Sequence, residues 1–232
     1  MNRFSAFVGV VCAALAAQAQ AQERDDNVSV TVRLRAWYTQ WTTFSYYAPD
    51  GENLALTQIS AHDKLVMMPL VSVGWRQFFG SVSGIPSTRF TFDDLSTGRR
   101  SEFDANVGYS VTPGLALTLG YKRVTQSDGV NAYRPRGPVI GASANAPLGG
   151  GLSLYGSLGV GRLKTASGDT IQFKAGYRLA EVGLGYGLNA EWPRWTLTGG
   201  YRIQVLSSKD AFEGRDGRDT TQGFTVGASA AF

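Results

Sequence analysis

The chain has 232 residues, with 22 Lys and Arg against 18 Asp and Glu, a formal net charge of +4, one Cys and one His. That length suits one domain and is thin for two. The small basic excess, with no basic stripe interleaved with aromatics on one face, argues against a nucleic-acid binder. With 29 Gly and 43% hydrophobic residues, the composition is not that of a disordered chain, because apolar residues alternate with polar ones instead of thinning out.

Residues 1–21 read as a secretory signal peptide: Arg3 is the positive start, Phe4 to Ala17 are almost wholly apolar, and Ala19-Gln20-Ala21 offers small residues for cleavage. Residues 22–232 are then the single mature domain. The one cysteine, Cys12, lies inside the signal, and Val11 before it is too bulky for a lipoprotein acceptor site. A mature chain without thiols has no disulfide, no Cys-ligated metal and no thiol nucleophile. No later stretch reaches the roughly 18 consecutive apolar residues of a spanning helix, so a membrane-resident chain would cross with strands.

From Val28 onward, segments of period two are bounded by turn residues, and no segment of similar length has a 3.6-residue pattern. Ten strands are predicted, at 28–44, 64–75, 78–92, 101–112, 115–126, 137–147, 151–164, 179–192, 195–207 and 220–232. Eight or twelve strands also fit. Short connections (Arg76-Gln77, Pro113-Gly114, Leu148 to Gly150, Pro193-Arg194) alternate with long ones at 45–63, 93–100, 127–136, 165–178 and 208–219. Alternate short turns and long polar loops predict an all-β fold, a single transmembrane antiparallel up-and-down β-barrel with both termini at the short-turn end.

Parity divides each strand. In 101–112, Phe103, Ala105, Val107, Tyr109 and Val111 oppose Glu102, Asp104, Asn106, Gly108 and Ser110. In 195–207, Trp195, Leu197, Tyr201 and Ile203 oppose Thr196, Thr198, Arg202 and Gln204. Gly-Tyr pairs at 108/109, 120/121, 185/186 and 200/201 set Gly on the polar face and Tyr on the apolar one. Small residues on a polar face suit a narrow lumen that must hold a few long side chains. Gly176-Tyr177 breaks this register and is assigned to a loop or a strand extension. Trp75, Trp192 and Trp195 gather near the short turns, and Trp37 and Trp41 near the far end of the first strand; two such bands are expected of aromatic girdles at two membrane interfaces.

The final strand alternates Phe224, Val226, Ala228, Ala230 and Phe232 with small or polar neighbours. This pattern resembles the C-terminal assembly signal of Gram-negative outer-membrane β-barrel proteins. With the signal peptide and the alternating connections, the whole mature chain resembles the small outer-membrane barrels, the broad group of OmpA-like and OmpW-like proteins, without matching any subfamily motif. The resemblance implies residence in the outer membrane, contact with its lipid and lipopolysaccharide, insertion by the barrel-assembly machinery, and no cofactor. It leaves the oligomeric state open.

One constellation stands out on the polar face: Arg33, Arg35, Glu102, Asp104, Lys122, Glu181, Arg202 and, nearer the short turns, Glu191. Adjacent strands would pair Asp104 with Lys122, and Arg202 with Glu181 and, across the closing seam, the Arg33/Arg35 group. Such charges act either as a constriction that selects solutes or as ion pairs that plug a narrow barrel. The first expectation is a narrow passive pore for small solutes, with anion preference if open. The alternative is a closed structural or surface-interaction barrel. An outer-membrane hydrolase is the third, minor reading: His62, Asp63, Asp93 and Asp94 meet at one rim but match neither the omptin order nor a His-x-Ser deacylase motif. The chain is therefore not expected to be an enzyme, and no metal cluster is visible. Arg99-Arg100, Arg134-Pro135-Arg136 and Arg215 to Arg218 are assigned to solvated loops.

Overall fold

Alternation of period two carries the chain into β-structure throughout the computed structural model, which describes residues 28–47, 55–127, 132–165, 173–188, 193–212 and 215–232. The predicted signal peptide, residues 1–21, lies outside the described residues. The strands are β1 (Val28–Tyr47), β2 (Ala55–Ser60), β3 (Lys64–Trp75), β4 (Phe78–Thr91), β5 (Thr97–Thr112), β6 (Leu115–Ser127), β7 (Ala132–Tyr133), β8 (Arg136–Gly149), β9 (Leu152–Lys164), β10 (Lys174–Gly187), β11 (Arg194–Phe212) and β12 (Arg215–Ala231).

All pairings are antiparallel between neighbours, and β12 pairs β1 from Thr31↔Ala231 to Thr42↔Thr220, which closes the sheet. At the seam, Val30 and Phe232 exchange backbone hydrogen bonds of 3.0 and 2.8 Å. Both β2 and β3 pair β1, one above the other, and both β7 and β8 pair β6. Each of these doublets is one interrupted stave, so the described residues form a closed barrel of ten staves. Closure satisfies the edges that an open sheet would leave bare. The turn from β8 to β9 runs through Gly149, Gly150 and Gly151 with φ of +96°, +60° and +81°, a path that only glycine takes without strain.

Several strands begin earlier than their hydrophobic alternation: β5 at Thr97 instead of 101, β10 at Lys174 instead of 179, β12 at Arg215 instead of 220. The ladder continues past the apolar belt to where the outer face turns polar, so both faces read as loop in sequence. Arg99, Arg100, Arg136 and Arg215 to Arg218 are therefore strand residues. Tyr177 is one as well; it is buried, and its hydroxyl donates to Gln204 Oε1 at 2.8 Å.

One part of the wall lacks its ladder. Between β3 and β4, pairing runs only from Trp75↔Phe78 to Leu70↔Ser83 and resumes at the bridge Ala61↔Phe92. There the His62 amide donates to Thr91 O at 2.8 Å and the Asp93 amide to Ser60 O at 2.9 Å. The cause is a double loss of phase. β4 carries an extra residue between Ile85 and Thr88, so that Ile85 faces inward below the bulge and Phe90 above it. The facing stave changes phase at residues 61–63, with Val66 and Met68 buried on one side of the break and Ala61 on the other. Pro69 and Pro86, exposed on the two facing strands, each remove a ladder donor.

The two faces of the wall differ in the sense that parity predicts. Val71, Val107, Leu117, Leu119, Leu158, Val182, Leu184 and Val226 all stand exposed on the outside, forming an apolar belt far larger than a protein in water tolerates. Tyr109, Tyr121, Tyr186 and Tyr201 are exposed in the same belt, and their Gly partners face inward. A methyl group at Gly108 would sit 2.1 Å from the Phe79 ring, and one at Gly183 or Gly200 would sit 2.6 Å from the end of Tyr155. The lumen glycines are small because rings lie across them.

Candidate functional site

The strongest concentration of chemistry is inside the barrel. Inward positions of β5 and β6 set Asp104 directly opposite Lys122, and those of β10 and β11 set Glu181 opposite Arg202. Lys122 Nζ lies 2.6 Å from Glu102 Oε2 and 3.0 Å from Asp104 Oδ1. Arg202 Nη1 lies 2.9 Å from Glu181 Oε2, and Arg35 reaches the other oxygen of Glu181 past two intervening strands. Lys122 is 1% exposed. Lys122, Glu102 and Glu181 are out of water, while Asp104, Arg35 and Arg202 keep partial access to it, and the stability of the buried groups depends on their partners.

Arg33 lines a cavity of about 60 Å³ together with Arg35, Arg202, Glu102 and Asp104. It has no ion-pair partner among the described residues, and its Nε is buried without a hydrogen bond. Glu191 lies outside the described residues, as does Trp192. Sequence reasoning missed Arg100 by assigning it to a loop. Arg100 donates from Nε to Glu102 at 2.9 Å and from Nη1 to Gln126 at 2.9 Å. Its signal was present: Arg100 shares the parity of Glu102 and Asp104, one strand residue farther on.

The Trp37 and Trp41 assignments are corrected. Both are 0% exposed and lie inside the barrel, because the odd positions of β1 that point Arg33 and Arg35 inward carry these rings inward too. Trp41 packs edge-on against Phe90 and Phe92 with centroids 5.3 and 5.1 Å away, in a cluster with Val66, Met68 and Ile85 behind the unpaired part of the wall. A second cluster, Val124, Leu163, Ala175, Tyr177 and Leu206, fills the opposite side. Cations bridge polar and aromatic parts: Arg202 lies 5.4 Å over Trp37, Arg100 5.6 Å over Trp41 and Lys122 5.0 Å over Tyr177. Trp75 and Trp195, 51% and 43% exposed, face outward near the short turns.

Phe224, Val226 and Phe232 are exposed on the outer face; Ala228 is partly covered. Ala230 is buried although it shares their parity, since it is small and lies between its register partners Val32 and Trp195.

Nearer the long loops a second polar group spans the lumen. Asp219 accepts from Gln126 Nε2 at 2.7 Å, the Tyr133 hydroxyl at 2.9 Å and Trp41 Nε1 at 3.4 Å. Asp219 lies beyond Phe224, the last lipid-facing side chain of β12, at the level of outward Arg218 and Thr220. Burial pushes its carboxyl above the usual carboxylate range and the Tyr133 hydroxyl above its own. Side chains of β1, β5, β6, β7 and β12 meet in this half of the barrel.

His62 and Asp93 stand 3.5 Å apart with side chains 64% and 63% exposed. Both stand exposed on the outer surface of the wall. Among the described residues no group of His, Cys, Asp and Glu could hold a metal ion.

No protein-family model and no curated protein matches the chain. Among solved structures, the outer membrane protease OmpT from Escherichia coli is similar over 92% of this chain and 99% of its own, with 13% identity and a TM-score of 0.54. Outer membrane protein AlkL, solved in lipid bilayers, aligns over 93% and 94% at 10% identity with a TM-score of 0.47. OprG from Pseudomonas aeruginosa aligns over 92% and 99% at 11% identity with a TM-score of 0.35. Identities this low speak to fold alone, and closure, strand number, outward belt and the OmpT likeness agree on it: the chain has the fold of the outer-membrane β-barrels.

Proposed function

We propose that this protein is an outer-membrane barrel with a closed lumen, serving a structural or surface-directed role and not the passage of solutes. The observation that carries this reading is the pair of contacts that cross the lumen between strands sharing no edge, Arg35 to Glu181 and Gln126 and Tyr133 to Asp219, beside the wall-bound pairs Arg202–Glu181, Lys122–Glu102 and Arg100–Glu102. A ten-stranded barrel is narrow enough for side chains to occupy most of its interior, and Trp37, Trp41, Phe90 and Tyr177 occupy it here. A passive pore is favoured by one feature, the small inward residues of the short-turn half such as Ser72, Ser81, Asn106 and Ser153. That half leads to the charged layer and to a cavity of about 60 Å³, too small for an organic solute to traverse. The outward alternation ending in Phe232 supports insertion by the barrel-assembly machinery. The exposed His62–Asp93 pair supports no hydrolytic step.

Single-channel recording in a planar bilayer, with the predicted mature chain (residues 22–232) refolded into detergent, tests the reading. The expected result is a folded barrel, shown by heat-modifiable migration on gels, that gives no stable conductance steps. Regular openings with an ion selectivity that changes on removing Arg33 would overturn it in favour of a pore.

A further inference from the structure

The charged layer of the lumen does not balance. Five cations, Arg33, Arg35, Arg100, Lys122 and Arg202, face three carboxylates, Glu102, Asp104 and Glu181. Asp219, farther toward the long loops, makes a fourth carboxylate and still leaves one cation over. The ion pairs identify it. Glu181 takes Arg35 and Arg202, Glu102 takes Arg100 and Lys122, and Asp104 takes Lys122, so that Arg33 is left with no carboxylate among the described residues. Charge held away from bulk water is costly unless a counter-charge meets it. Arg33 also shares its cavity with a second donor in the same condition. Its own Nε and that of Arg202 are both buried without a hydrogen bond, and both residues line the space of about 60 Å³ with Arg35, Ser83, Glu102 and Asp104. Arg35 lies across Gly227, where a methyl group would sit 2.7 Å from its Cγ. Buried donors are nearly always satisfied in folded proteins, so three arginines around one small space call for an acceptor.

We infer that this cavity is a binding site for hydrogen phosphate, entered from the short-turn end of the barrel. A small oxyanion suits a space that excludes an organic solute, and the guanidinium fork matches the paired oxygens of such an ion. The carboxylates on the cavity wall narrow the choice. Both oxygens of Asp104 accept from Lys122, at 3.0 and 3.1 Å, and each keeps a second lone pair. An anion set against Asp104 must therefore bring a proton of its own. Hydrogen phosphate donates its O–H to the carboxylate while its other oxygens accept from the arginines; sulfate, with no proton at neutral pH, meets Asp104 as one acceptor against another. Access is from one side. Between the layer and the short turns the inward positions include Ser72, Ser81, Asn106, Thr118 and Ser153, and no described one is charged, whereas Trp37, Trp41 and the Asp219 group occupy the other side. The inference rests on the closed lumen proposed above: the ion is held at a dead end and does not pass.

The test uses the predicted mature chain (residues 22–232) refolded in uncharged detergent micelles, with sodium phosphate, sulfate or chloride added at matched ionic strength. It reads the thermal unfolding midpoint and the broadening of the phosphorus NMR signal. Phosphate is expected to raise the midpoint saturably and to broaden its own signal, and sulfate and chloride to do little beyond screening. Arg33→Met keeps most of the aliphatic chain and removes the charge. It is expected to fold, to be at least as stable as the parent without phosphate because the unpaired cation is gone, and to bind phosphate about tenfold more weakly, the loss of one charge-assisted contact. Arg123→Gln, on the exposed outer face of β6, is expected to leave the response unchanged. An equal gain from sulfate, or a phosphate response that survives in Arg33→Met or is lost in Arg123→Gln, would overturn the inference. The bilayer recordings separate it from the reading above: conductance carried by phosphate overturns both, and a silent barrel with no phosphate response overturns the inference alone.

Discussion

Lys122 holds the balance of charge in the lumen. Its ammonium serves both Glu102 and Asp104, and Arg100 alone remains for Glu102 if it is lost. Removing one member of a buried ion pair costs about 3–5 kcal/mol, because a charge is left without compensation, whereas replacing the set by apolar groups is far cheaper. Lys122→Met is therefore expected to destabilise the barrel by about 3 kcal/mol or more, and Lys122→Met with Asp104→Leu by less than the single change. Urea unfolding in lipid vesicles, followed by tryptophan fluorescence, measures both. A single-variant cost below about 1 kcal/mol would mean that water enters and screens the layer, as at exposed pairs. The pairing of Asp104 with Lys122 is legible in the sequence, since both lie on the inward face of strands joined by a two-residue turn. The Arg33/Arg35 group is legible as a neighbour of the Arg202–Glu181 pair, but which arginine reaches Glu181 is not, because that contact crosses the lumen between strands that share no edge.

At the scale of the element, the unpaired stretch between β3 and β4 is the weak part of the wall. Over residues 64–69 and 84–91 the two strands keep their outer neighbours β1 and β5 but not each other. Amides directed across the gap have no ladder partner there, while those in 70–75 and 78–83 do. Hydrogen–deuterium exchange in detergent is expected to show faster exchange for about half the amides in the first two segments, since successive strand amides point to opposite neighbours. Uniform protection across both strands would show that the ladder is complete in solution. Pro86 was visible in the sequence, yet its consequence depends on a one-residue bulge against β5. Hydrophobic pattern alone does not locate such a bulge, because Ile85 and Phe90 are both apolar and either phase can be drawn through them.

For the whole molecule, the division of the tryptophans between the two sides of the wall provides the test. Trp37 and Trp41 lie inside, while Trp75 and Trp195 face outward. In vesicles containing brominated lipid, with Trp192 replaced by Phe throughout, quenching is expected to fall sharply in the Trp75→Phe/Trp195→Phe variant and to persist when Trp37 and Trp41 are the residues replaced. Strong lipid quenching of Trp37 or Trp41 would contradict the assignment of β1 parity.

Sequence by itself determined the β class, the alternation of short and long connections and the split of each strand into an outward apolar and an inward polar face, while ten staves stood beside eight or twelve until the pairing of the sheet decided the count. These follow from a period of two, which is a local property. Tertiary structure alone decided what filled the interior: whether an aromatic near a strand end became a girdle or a plug, which groups met across the lumen, and where the wall lost its ladder. Those outcomes depend on contacts across the lumen and on phase between strands far apart in sequence, and no local pattern encodes them.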